Sequence, residues 1–575
     1  MDYKEIYNQW LTLPCFDERT KEELRGIAGD EKEIEERFYT DLKFGTAGLR
    51  GIIGAGTNRM NIYTVRRATQ GLADYINMVG AAKRGVAIAH DSRHMSVEFA
   101  EESALCLAAN GIKAYIFDSL RPTPELSFAV RHLHCIAGIN ITASHNPAEY
   151  NGYKVYWEDG AQITPPHDTG ITEKVLARTD FATLKTMDKD AAISAGLFEV
   201  IGDKVDDAYI AELKKQIKCQ DTIDKYQKDI KIVYTPLHGT GNIPVRRILK
   251  EIGFENVYVV PEQEKPDGDF PTVPYPNPET EDAFKLGLEL AGKVDADLVL
   301  ATDPDADRLG VHVKDKEGKY HSLTGNMSGC LLGEYELART KDAGNFPADG
   351  ALIKSIVTSN LARAIAENYG AELVEVLTGF KYIGGKMLEF ETTGKGTYLF
   401  GFEESYGCLI GTYARDKDAV VASMALCEMA AFYKGKNMTL WDAMIEMYEK
   451  YGYYKEDVQS ITLKGIEGAE KIKSIMEGLR GNTPEEIGGY DVLRVRDYKK
   501  QTITDVKTGN VTSTGLPQSD VLYYDLPDNS WVCIRPSGTE PKIKVYYGIK
   551  ADSLAKSEEE SKKMGESAMK MLQID

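Results

Sequence analysis

Short apolar runs alternate with helical stretches along much of the chain. A buried strand is predicted at 85–89, followed by a helix over 97–110 that Gly111 closes and by a second strand at 113–117. Another apolar run covers 135–141. Strands that alternate with helices predict an α/β fold built on a parallel sheet with both faces covered.

The same alternation returns twice further along the chain. Strands are predicted at 230–234, 257–260 and 296–301, and again at 351–357, 371–377 and 397–402. Residues 1–40 have a charged helical pattern, whereas the chain beyond 461 has short β-rich segments that end in a charged helix over 553–572. We therefore predict four domains, with the boundaries 1–210, 211–325, 326–455 and 456–575.

The composition is that of an acidic globular protein. The 575 residues include 69 Lys and Arg against 89 Asp and Glu, which gives a formal net charge of −20. This charge disfavours non-specific binding to nucleic acid or to an anionic membrane surface, and we expect neither partner. An anionic small molecule is still compatible with it, because a few basic residues can make a local positive site.

Cysteine usage and the apolar runs bear on the compartment. The eight cysteines form no C-x-x-C pair, so the sequence predicts neither a zinc site nor a disulfide framework. The first residues (MDYKE) lack the basic and apolar regions of a signal peptide. The longest apolar run, 419–433, contains Glu428 and is too short to span a bilayer, so it predicts a buried helix. We expect a cytoplasmic protein.

A polar segment follows the strand predicted at 135–141. In 142–147 (TASHNP) Ser144 comes directly before His145, a pair that can act as a nucleophile with a neighbouring base. The alternative is a polar turn that ends at Pro147. The elbow of a serine hydrolase needs the pattern G-x-S-x-G, which this segment lacks.

Three carboxylates stand at alternate positions of 303–308 (DPDADR), after the strand predicted at 296–301. Asp303, Asp305 and Asp307 repel one another unless water or a cation neutralises them. In a flat strand alternate side chains lie roughly 6–7 Å apart, so the segment must curl to hold one Mg²⁺. Oxygen ligands favour Mg²⁺ over zinc, and an EF-hand is disfavoured because its glycine and glutamate are missing. The alternative is a solvated acidic turn.

Four weaker segments carry groups that suit sugars or phosphates. Residues 401–407 (GFEESYG) place adjacent carboxylates and a hydroxyl between glycines, which suits hydrogen bonds from sugar hydroxyls. In 535–542 (RPSGTEPK) an arginine and an anion nest around Gly538 suit a phosphate, and 44–51 (FGTAGLRG) has similar chemistry. Residues 415–418 (RDKD) offer cations and a proton carrier. Ordinary turns or solvated charge runs are the alternatives.

With these motifs the sequence resembles the α-D-phosphohexomutase family over nearly its whole length. The resemblance is carried by 142–147, 303–308, 401–407 and 535–541, which stand in the family's order. Two further segments, 235–241 (TPLHGTG) and 378–381 (TGFK), are similar to the longer phosphoglucomutase branch, which also includes phosphopentomutases.

The resemblance implies a fold and an activity. The fold is α/β, with three similar αβα-layer domains and a C-terminal α+β domain like the TATA-binding protein, around a central active-site cleft. The activity is an intramolecular phosphoryl transfer that interconverts α-D-glucose 1-phosphate and glucose 6-phosphate through a phosphoserine and glucose 1,6-bisphosphate. Mg²⁺ is the implied cofactor, and phosphopentose and phosphomannose are alternative substrates.

The resemblance also implies roles for individual residues. Ser144 is the phosphorylated serine, and its phosphoryl group completes a Mg²⁺ site made by Asp303, Asp305 and Asp307. The other implied catalytic residues are Arg50, His145, Lys154 and Lys417, with Lys417 the first choice for the general base and His145 the second. The implied substrate-binding residues are Thr46, Arg308, Thr378, Gly379, Lys381, Glu403, Ser405, Arg535, Ser537, Gly538 and Thr539.

Two other function classes are compatible with parts of this pattern. A Mg²⁺-dependent phosphatase would also use aspartates after a strand, but it would not need Ser144 or the phosphate motif at 535–541. A sugar-phosphate sensor would need neither the nucleophile nor the metal triad. The expected partners are therefore small sugar phosphates, and the oligomeric state is left open.

Overall fold

The computed structural model describes residues 2–45, 48–463, 465–537 and 542–573 and, for residues 465 and 466, the backbone alone. The chain divides into two compact units. The first unit contains Met1–Leu323, Gly384–Gly394 and Tyr406–Thr439, and the second contains Thr324–Ile383, Lys395–Ser405 and Leu440–Asp575. The four domain boundaries expected from the sequence stay a prediction.

The helices are α1 (Tyr3–Thr12), α2 (Glu18–Gly26), α3 (Glu31–Phe38), α4 (Ile62–Met78), α5 (Ser96–Ala109), α6 (Thr123–His132), α7 (His167–Leu176), α8 (Lys189–Ser194), α9 (Asp203–Lys214), α10 (Gln220–Tyr226), α11 (Asn242–Ile252), α12 (Pro261–Glu264), α13 (Glu281–Val294), α14 (Gly325–Asp342), α15 (Leu361–Tyr369), α16 (Phe380–Thr393), α17 (Ala419–Lys434), α18 (Leu440–Tyr451), α19 (Gly465–Gly481) and α20 (Leu554–Met571).

The strands are β1 (Gly48–Ile52), β2 (Val86–His90), β3 (Ala114–Phe117), β4 (Ala137–Ile141), β5 (Tyr150–Trp157), β6 (Phe198–Ile201), β7 (Ile232–Thr235), β8 (Val257–Val259), β9 (Leu298–Thr302), β10 (Leu309–Lys314), β11 (Tyr320–Leu323), β12 (Gly350–Ser355), β13 (Glu372–Val376), β14 (Thr397–Glu403), β15 (Gly407–Ile410), β16 (Tyr453–Thr462), β17 (Glu486–Ile487), β18 (Tyr490–Asp491), β19 (Arg494–Asp497), β20 (Thr502–Asp505), β21 (Val511–Ser513), β22 (Leu522–Asp525), β23 (Trp531–Pro536) and β24 (Lys542–Ala551).

The first sheet of the first unit has the order β1-β5-β4-β2-β3-β6. Strands β4, β2, β3 and β6 pair in parallel, as the sequence predicts. At one edge the predicted parallel sheet is extended by antiparallel pairing, because β5 runs antiparallel to both β4 and β1. The connection 142–149 is too short for the crossover that a parallel neighbour needs, so the chain reverses there.

The second sheet of the first unit has the order β11-β10-β9-β7-β8. Strand β9 pairs in parallel with β7 and antiparallel with β10, which follows it after the acidic segment 303–308. Strand β9 is buried along its whole length. The acidic segment is therefore a tight reversal at the end of a buried strand.

Apolar side chains at alternate and continuous positions explain why these strands form. Ile88 on β2 pairs with Ile139 on β4 and Ile116 on β3, and all three are buried in one cluster. The N-terminal helices make a separate aromatic cluster, in which Trp10 stacks on Phe16 with ring centroids 4.2 Å apart. This cluster fixes the predicted N-terminal helices against the start of α4.

Besides the short antiparallel pair β17-β18, the described part of the second unit contains two larger sheets of different character. Strands β13, β12 and β14 pair in parallel in that order, whereas the other sheet is an antiparallel series, β16-β24-β23-β22-β19-β20-β21. One buried cluster joins the surroundings of both sheets. It includes Ile356 and Leu377, which directly follow β12 and β13, and Trp531 of β23. The β-rich segment and final helix predicted beyond 461 are confirmed, with β16 starting slightly earlier.

The long apolar run predicted as a buried helix is helix α17. Nearly all of its residues are buried, and Glu428 accepts hydrogen bonds from the backbone N–H groups of Lys218 (3.0 Å) and Cys219 (2.7 Å). Across the described parts of the chain, no helix has both the length and the apolar composition needed to traverse a membrane.

A tight turn at 235–241 supports the acidic segment. The backbone N–H of Thr240 donates to the carbonyl of Pro304 at 2.9 Å. A Cβ added to Gly239 would lie 2.5 Å from the Pro304 Cα and 2.8 Å from its carbonyl oxygen. Leu237 and His238 both have positive φ angles, 45° and 60°. The turn therefore fixes the acidic segment by direct backbone contact.

The first testable prediction follows from this contact. Gly239→Ala should lower the free energy of unfolding by about 1–3 kcal/mol, because the new methyl group has to displace the Pro304 backbone. The matched control is Gly292→Ala in α13, where no atom lies within 4 Å and alanine should stabilise by about 0.5–1 kcal/mol. Thermal unfolding of both variants measures the effect. Equal midpoints would contradict the prediction.

Candidate active site

Ser144 lies on the reversal between β4 and β5. Its backbone has φ 51°, its N–H donates to Thr142 Oγ1 at 2.9 Å, and its side chain is only 3% exposed. The positive φ turns the side chain out of the direction of β4. The serine is therefore held in a strained, buried position, which is a recurrent property of functional residues.

The Ser144 hydroxyl reaches the acidic segment. Ser144 Oγ donates to Asp303 Oδ2 at 2.7 Å, and His145 Nδ1 lies 3.2 Å from the same hydroxyl. The two motifs singled out from the sequence as separate signals therefore meet within the first unit. An imidazole and a carboxylate therefore both lie within hydrogen-bond distance of the Ser144 hydroxyl.

The acidic segment curls, as the sequence analysis requires. Asp303 Oδ1 accepts hydrogen bonds from the backbone N–H groups of Asp307 (3.1 Å) and Arg308 (3.0 Å). Ala306 adopts φ 50°, which bends the backbone between Asp305 and Asp307. As a result, one carboxylate oxygen from each of the three aspartates lies within 4.8 Å of the other two.

Two lysines neutralise part of this acidic cluster. Lys154 Nζ lies 2.7 Å from Asp305 Oδ2, and Lys417 Nζ lies 3.0 Å from Asp307 Oδ2. Burial raises the pKa of Asp303, and the charges of Asp305 and Asp307 raise it further. Burial also raises the pKa of Asp305. The charge of Lys154 and hydrogen bonds to the carboxyl lower it by more, so the pKa of Asp305 falls below its usual value.

The donor set of the cluster fits a hard divalent cation. All three aspartates are buried, and every candidate ligand atom is a carboxylate oxygen, the type that Mg²⁺ prefers. Among the described residues, the buried Oδ1 atoms of Asp305 and Asp307 have no hydrogen-bond partner. A cation would satisfy these atoms and offset the mutual repulsion of the carboxylates.

Three further predicted residues surround Ser144. Arg50 Nη1 donates to Asn146 Oδ1 at 3.2 Å, and Arg308 forms an ion pair with Glu279. Burial lowers the pKa of His145 well below its usual range, and the positive charges of Arg308 and Arg50 lower it further. The imidazole is therefore neutral near pH 7 and can accept a proton.

Lys417 is fixed on both sides. Its ammonium group lies 3.1 Å from Asp416 Oδ1, while Asp416 Oδ2 accepts a hydrogen bond from the Tyr156 hydroxyl at 3.0 Å. A Cβ added to Gly407 would lie 2.0 Å from Lys417 Cδ. The second glycine of the segment 401–407 therefore makes room for the lysine side chain.

In the second unit, two predicted segments meet at one sheet edge. Thr378 and Gly379 follow β13, and Glu403 ends β14, so both lie beyond the carboxyl ends of parallel strands. The Gly379 N–H donates to Glu403 Oε1 at 2.7 Å, and Gly379 has φ 120°. The buried Thr378 Oγ1 has no hydrogen-bond partner among the described residues, so it can bind a ligand.

Other predicted residues of the second unit surround this edge. Glu404, between Glu403 and Ser405, accepts hydrogen bonds from Ser355 Oγ and Thr358 Oγ1. Lys381 lies near the start of α16, with its Nζ 5.3 Å from the Tyr382 ring centroid. The partly exposed Ser405 directly follows Glu404.

Arg535 lies near the end of β23. Burial raises the pKa of Tyr546, with Glu404 adding to the shift and Arg535 opposing it, which puts both charges near that ring. The Ser537 N–H donates to the carbonyl of Lys542 at 2.6 Å. The predicted site residues Thr46, Gly538 and Thr539 lie outside the described residues.

Sequence reasoning missed three polar residues that support the first-unit site. Thr123 Oγ1 donates to Asp305 Oδ2 at 2.8 Å and accepts a hydrogen bond from Asn140 Nδ2 at 2.7 Å. Arg93 contacts the loop that carries Ser144. Position alone offered a signal for Arg93, since it follows β2 at the carboxyl end of a parallel strand, as Ser144 follows β4.

Comparison with family models gives four matches. The phosphoglucomutase/phosphomannomutase models match in chain order: α/β/α domain I at 41–181, domain II at 207–318, domain III at 324–451 and the C-terminal domain at 484–561. The matches confirm the expected fold of three αβα domains followed by a C-terminal domain.

Curated relatives and solved structures agree. A phosphoglucomutase of Staphylococcus saprophyticus is 38% identical over 524 residues, which cover 91% of this chain and 93% of that protein. A putative phosphomannomutase of Thermus thermophilus has a TM-score of 0.68 at 22% identity, covering 93% of this chain and 100% of its own. The open form of parafusin, a phosphoglucomutase of Paramecium, has a TM-score of 0.68 at 19% identity, with coverages of 93% and 96%. The chain therefore belongs to the phosphoglucomutase/phosphomannomutase family.

Proposed function

We propose that this chain is a phosphoglucomutase that interconverts α-D-glucose 1-phosphate and glucose 6-phosphate. The observation that carries the proposal is the 2.7 Å hydrogen bond from Ser144 Oγ to Asp303, which brings a buried nucleophile to the acidic cluster. The preference for glucose is supported by the Staphylococcus relatives, which are named phosphoglucomutases at 37–38% identity.

The proposed reaction transfers a phosphoryl group in two steps. In the first, the bond between phosphorus and Ser144 Oγ breaks while a bond to the free sugar hydroxyl forms, which gives glucose 1,6-bisphosphate. In the second, Ser144 Oγ attacks the other phosphoryl group of the reoriented bisphosphate, and the sugar leaves as the isomeric monophosphate. Arg50 and Arg308 offset charge on the moving group, because phosphoryl transfer depends mostly on positioning and electrostatics.

A proton has to leave the attacking sugar hydroxyl. His145 is neutral, and its Nδ1 lies 3.2 Å from Ser144 Oγ, so it can accept the proton without first losing one. Lys417 is the other candidate, with its Nζ 3.0 Å from Asp307 Oδ2 and 3.1 Å from Asp416 Oδ1. We keep both as proposed proton carriers.

Asp303, Asp305 and Asp307 are the proposed ligands of Mg²⁺, together with an oxygen of the phosphorylated Ser144. When bound, Mg²⁺ would supply positive charge to the transferring phosphoryl group. Lys154 and Lys417 share the neutralisation of the same carboxylates. These positive charges would offset part of the negative charge of the three aspartates and of a phosphoryl group beside them.

The second unit supplies the proposed sugar and phosphate contacts. Glu403 and Ser405 would bind sugar hydroxyls, and Thr378, Gly379 and Lys381 would distinguish sugar orientations. Arg535 and Ser537, with Gly538 and Thr539, would bind the phosphate that does not react, since arginine offers a bidentate fork. We also propose a cytoplasmic location, with support from the eight free cysteines.

A substrate panel tests the proposal. The 1-phosphates of glucose, mannose, ribose and deoxyribose are compared with Mg²⁺ and the matching bisphosphate primer. We expect kcat/KM for glucose 1-phosphate to exceed the others by about 10-fold or more, a difference of about 1.4 kcal/mol in transition-state binding. A preference for mannose 1-phosphate or a pentose 1-phosphate would contradict glucose as the substrate. Release of free phosphate faster than isomer formation would indicate a phosphatase instead.

Ser144→Ala tests the phosphoserine. Loss of the nucleophile should lower kcat by at least about 10³-fold and abolish phosphorylation of the protein, measured by a coupled assay and by intact mass. The matched control is Ser103→Ala, a buried serine of α5 whose hydroxyl donates to the Phe99 carbonyl. It should retain full activity. Turnover of Ser144→Ala at the rate of the unmodified protein would rule out the scheme.

Removal of one carboxylate tests the cation site. Asp305→Asn should weaken Mg²⁺ binding by at least about 100-fold, measured by calorimetry on chelator-treated protein, and activity should fall with it. Asp295→Asn, at the exposed opposite end of β9, is the control and should bind Mg²⁺ unchanged. Chelation should stop turnover reversibly in the unmodified protein. Undiminished calorimetric binding in Asp305→Asn would remove this aspartate from the site.

A further inference from the structure

One arginine holds the loop that carries Ser144. Arg93 follows β2, and its side chain is 0% exposed. Its Nη1 donates to the carbonyl oxygens of Pro147 at 2.7 Å and Tyr150 at 3.0 Å. Its Nη2 donates to the carbonyl oxygens of Ser144 and Asn146. One guanidinium group thus binds three backbone carbonyls of the connection 142–149 and that of Tyr150, the first residue of β5.

Neighbouring side chains hold Arg93 in place. Arg93 Nε lies 3.3 Å from Asp91 Oδ2, and the Arg93 backbone N–H donates to Asp91 Oδ1 at 2.9 Å. Ser96 Oγ also donates to Asp91 Oδ1, and Asn151 Nδ2 donates to Ser96 Oγ at 3.0 Å. The Phe270 ring covers the guanidinium, with its centroid 5.0 Å from Cζ. The cation therefore cannot move without disrupting a buried network.

These contacts have a direct consequence for the loop conformation. Four carbonyl oxygens that converge on one buried point repel each other unless donors lie between them, and an unpaired buried carbonyl is costly. Ser144 also occupies a left-handed backbone conformation, which an L-residue adopts only when its surroundings impose it. The planar fork of an arginine satisfies both requirements at once.

We propose that Arg93 is a positioning residue for phosphoryl transfer, which keeps Ser144 Oγ within reach of Asp303 and the phosphoryl group. This inference rests on the proposed function. Arg93 touches backbone atoms of the loop and its own supporting residues, so it acts through Ser144 rather than on the substrate. A displacement of about 1 Å at a reacting atom costs about 10²-fold in rate.

Arg93→Lys is the decisive variant. Lysine keeps the charge but has a single nitrogen, which cannot reach four carbonyls placed around a planar fork. We expect the rate at which glucose 1,6-bisphosphate phosphorylates Ser144, and kcat, to fall by about 100-fold, with KM changed less than about 3-fold.

Arg67→Lys is the matched control. Arg67 is also a buried arginine of the first unit, and it donates to the Val175 carbonyl and to Asp41, neither of which belongs to the loop. Both variants lose a buried guanidinium, so a general loss of stability should affect them alike. We expect Arg67→Lys to phosphorylate Ser144 within about 3-fold of the unmodified rate.

A second measurement does not depend on activity. Hydrogen exchange of the peptide that covers 142–151 should become at least about 10-fold faster in Arg93→Lys and stay unchanged in Arg67→Lys. Unchanged exchange and an unchanged phosphorylation rate in Arg93→Lys would overturn the inference. An equal loss of phosphorylation rate in Arg67→Lys and Arg93→Lys, at the same unfolding midpoint, would also overturn it.

The two hypotheses fail in different ways. If the unmodified protein takes no phosphoryl group on Ser144 and turns over no sugar phosphate, the proposed function fails. If the unmodified protein is phosphorylated and Arg93→Lys behaves the same, only the role of Arg93 fails. The exchange experiment decides whether Arg93 holds the loop in either case.

Discussion

The crowding of three carboxylates in one buried reversal governs the rest of the candidate site. Asp303, Asp305 and Asp307 lie at the end of a buried strand, where solvent cannot screen their repulsion. Lys154, Lys417 and the Ser144 hydroxyl reach them from other parts of the first unit. Backbone N–H groups of the segment itself donate to Asp303. The same excess of negative charge fits a hard cation, because a compact divalent ion would add positive charge where the carboxylates repel one another.

Part of the support for this cluster comes from contacts with backbone atoms. The turn at 235–241 lies against Pro304 with no room for a side chain at Gly239, and Arg93 binds carbonyl groups of the loop opposite. These contacts hold backbone atoms in place, and the Arg93 side chain is itself held by Asp91. They are suited to a reaction in which the rate depends on the position of atoms more than on their intrinsic reactivity.

Much of this architecture could be predicted from the sequence. Apolar runs such as 85–89 and 296–301 correspond to β2 and β9, because a buried parallel strand needs continuous apolar side chains. The polar segments after them could be singled out because such positions bind ligands in α/β sheets. Strand β5 was not among the strands predicted from the sequence, so neither its place in the sheet nor its antiparallel direction was predicted. Arg93 was also missed, because its partners are carbonyl groups, which leave no trace in residue identities.

The short reversal between β4 and β5 restricts how the reaction cycle can proceed. Both flanks of Ser144 are paired strands of one sheet, so the serine cannot travel without unpairing part of that sheet. As the proposed phosphoryl donor, a serine fixed in this way would serve two ends of one sugar only if the sugar turned over between the two transfers. In the proposed cycle the large motion would therefore belong to the bound intermediate, which the protein would have to hold loosely enough to rotate yet firmly enough not to lose it.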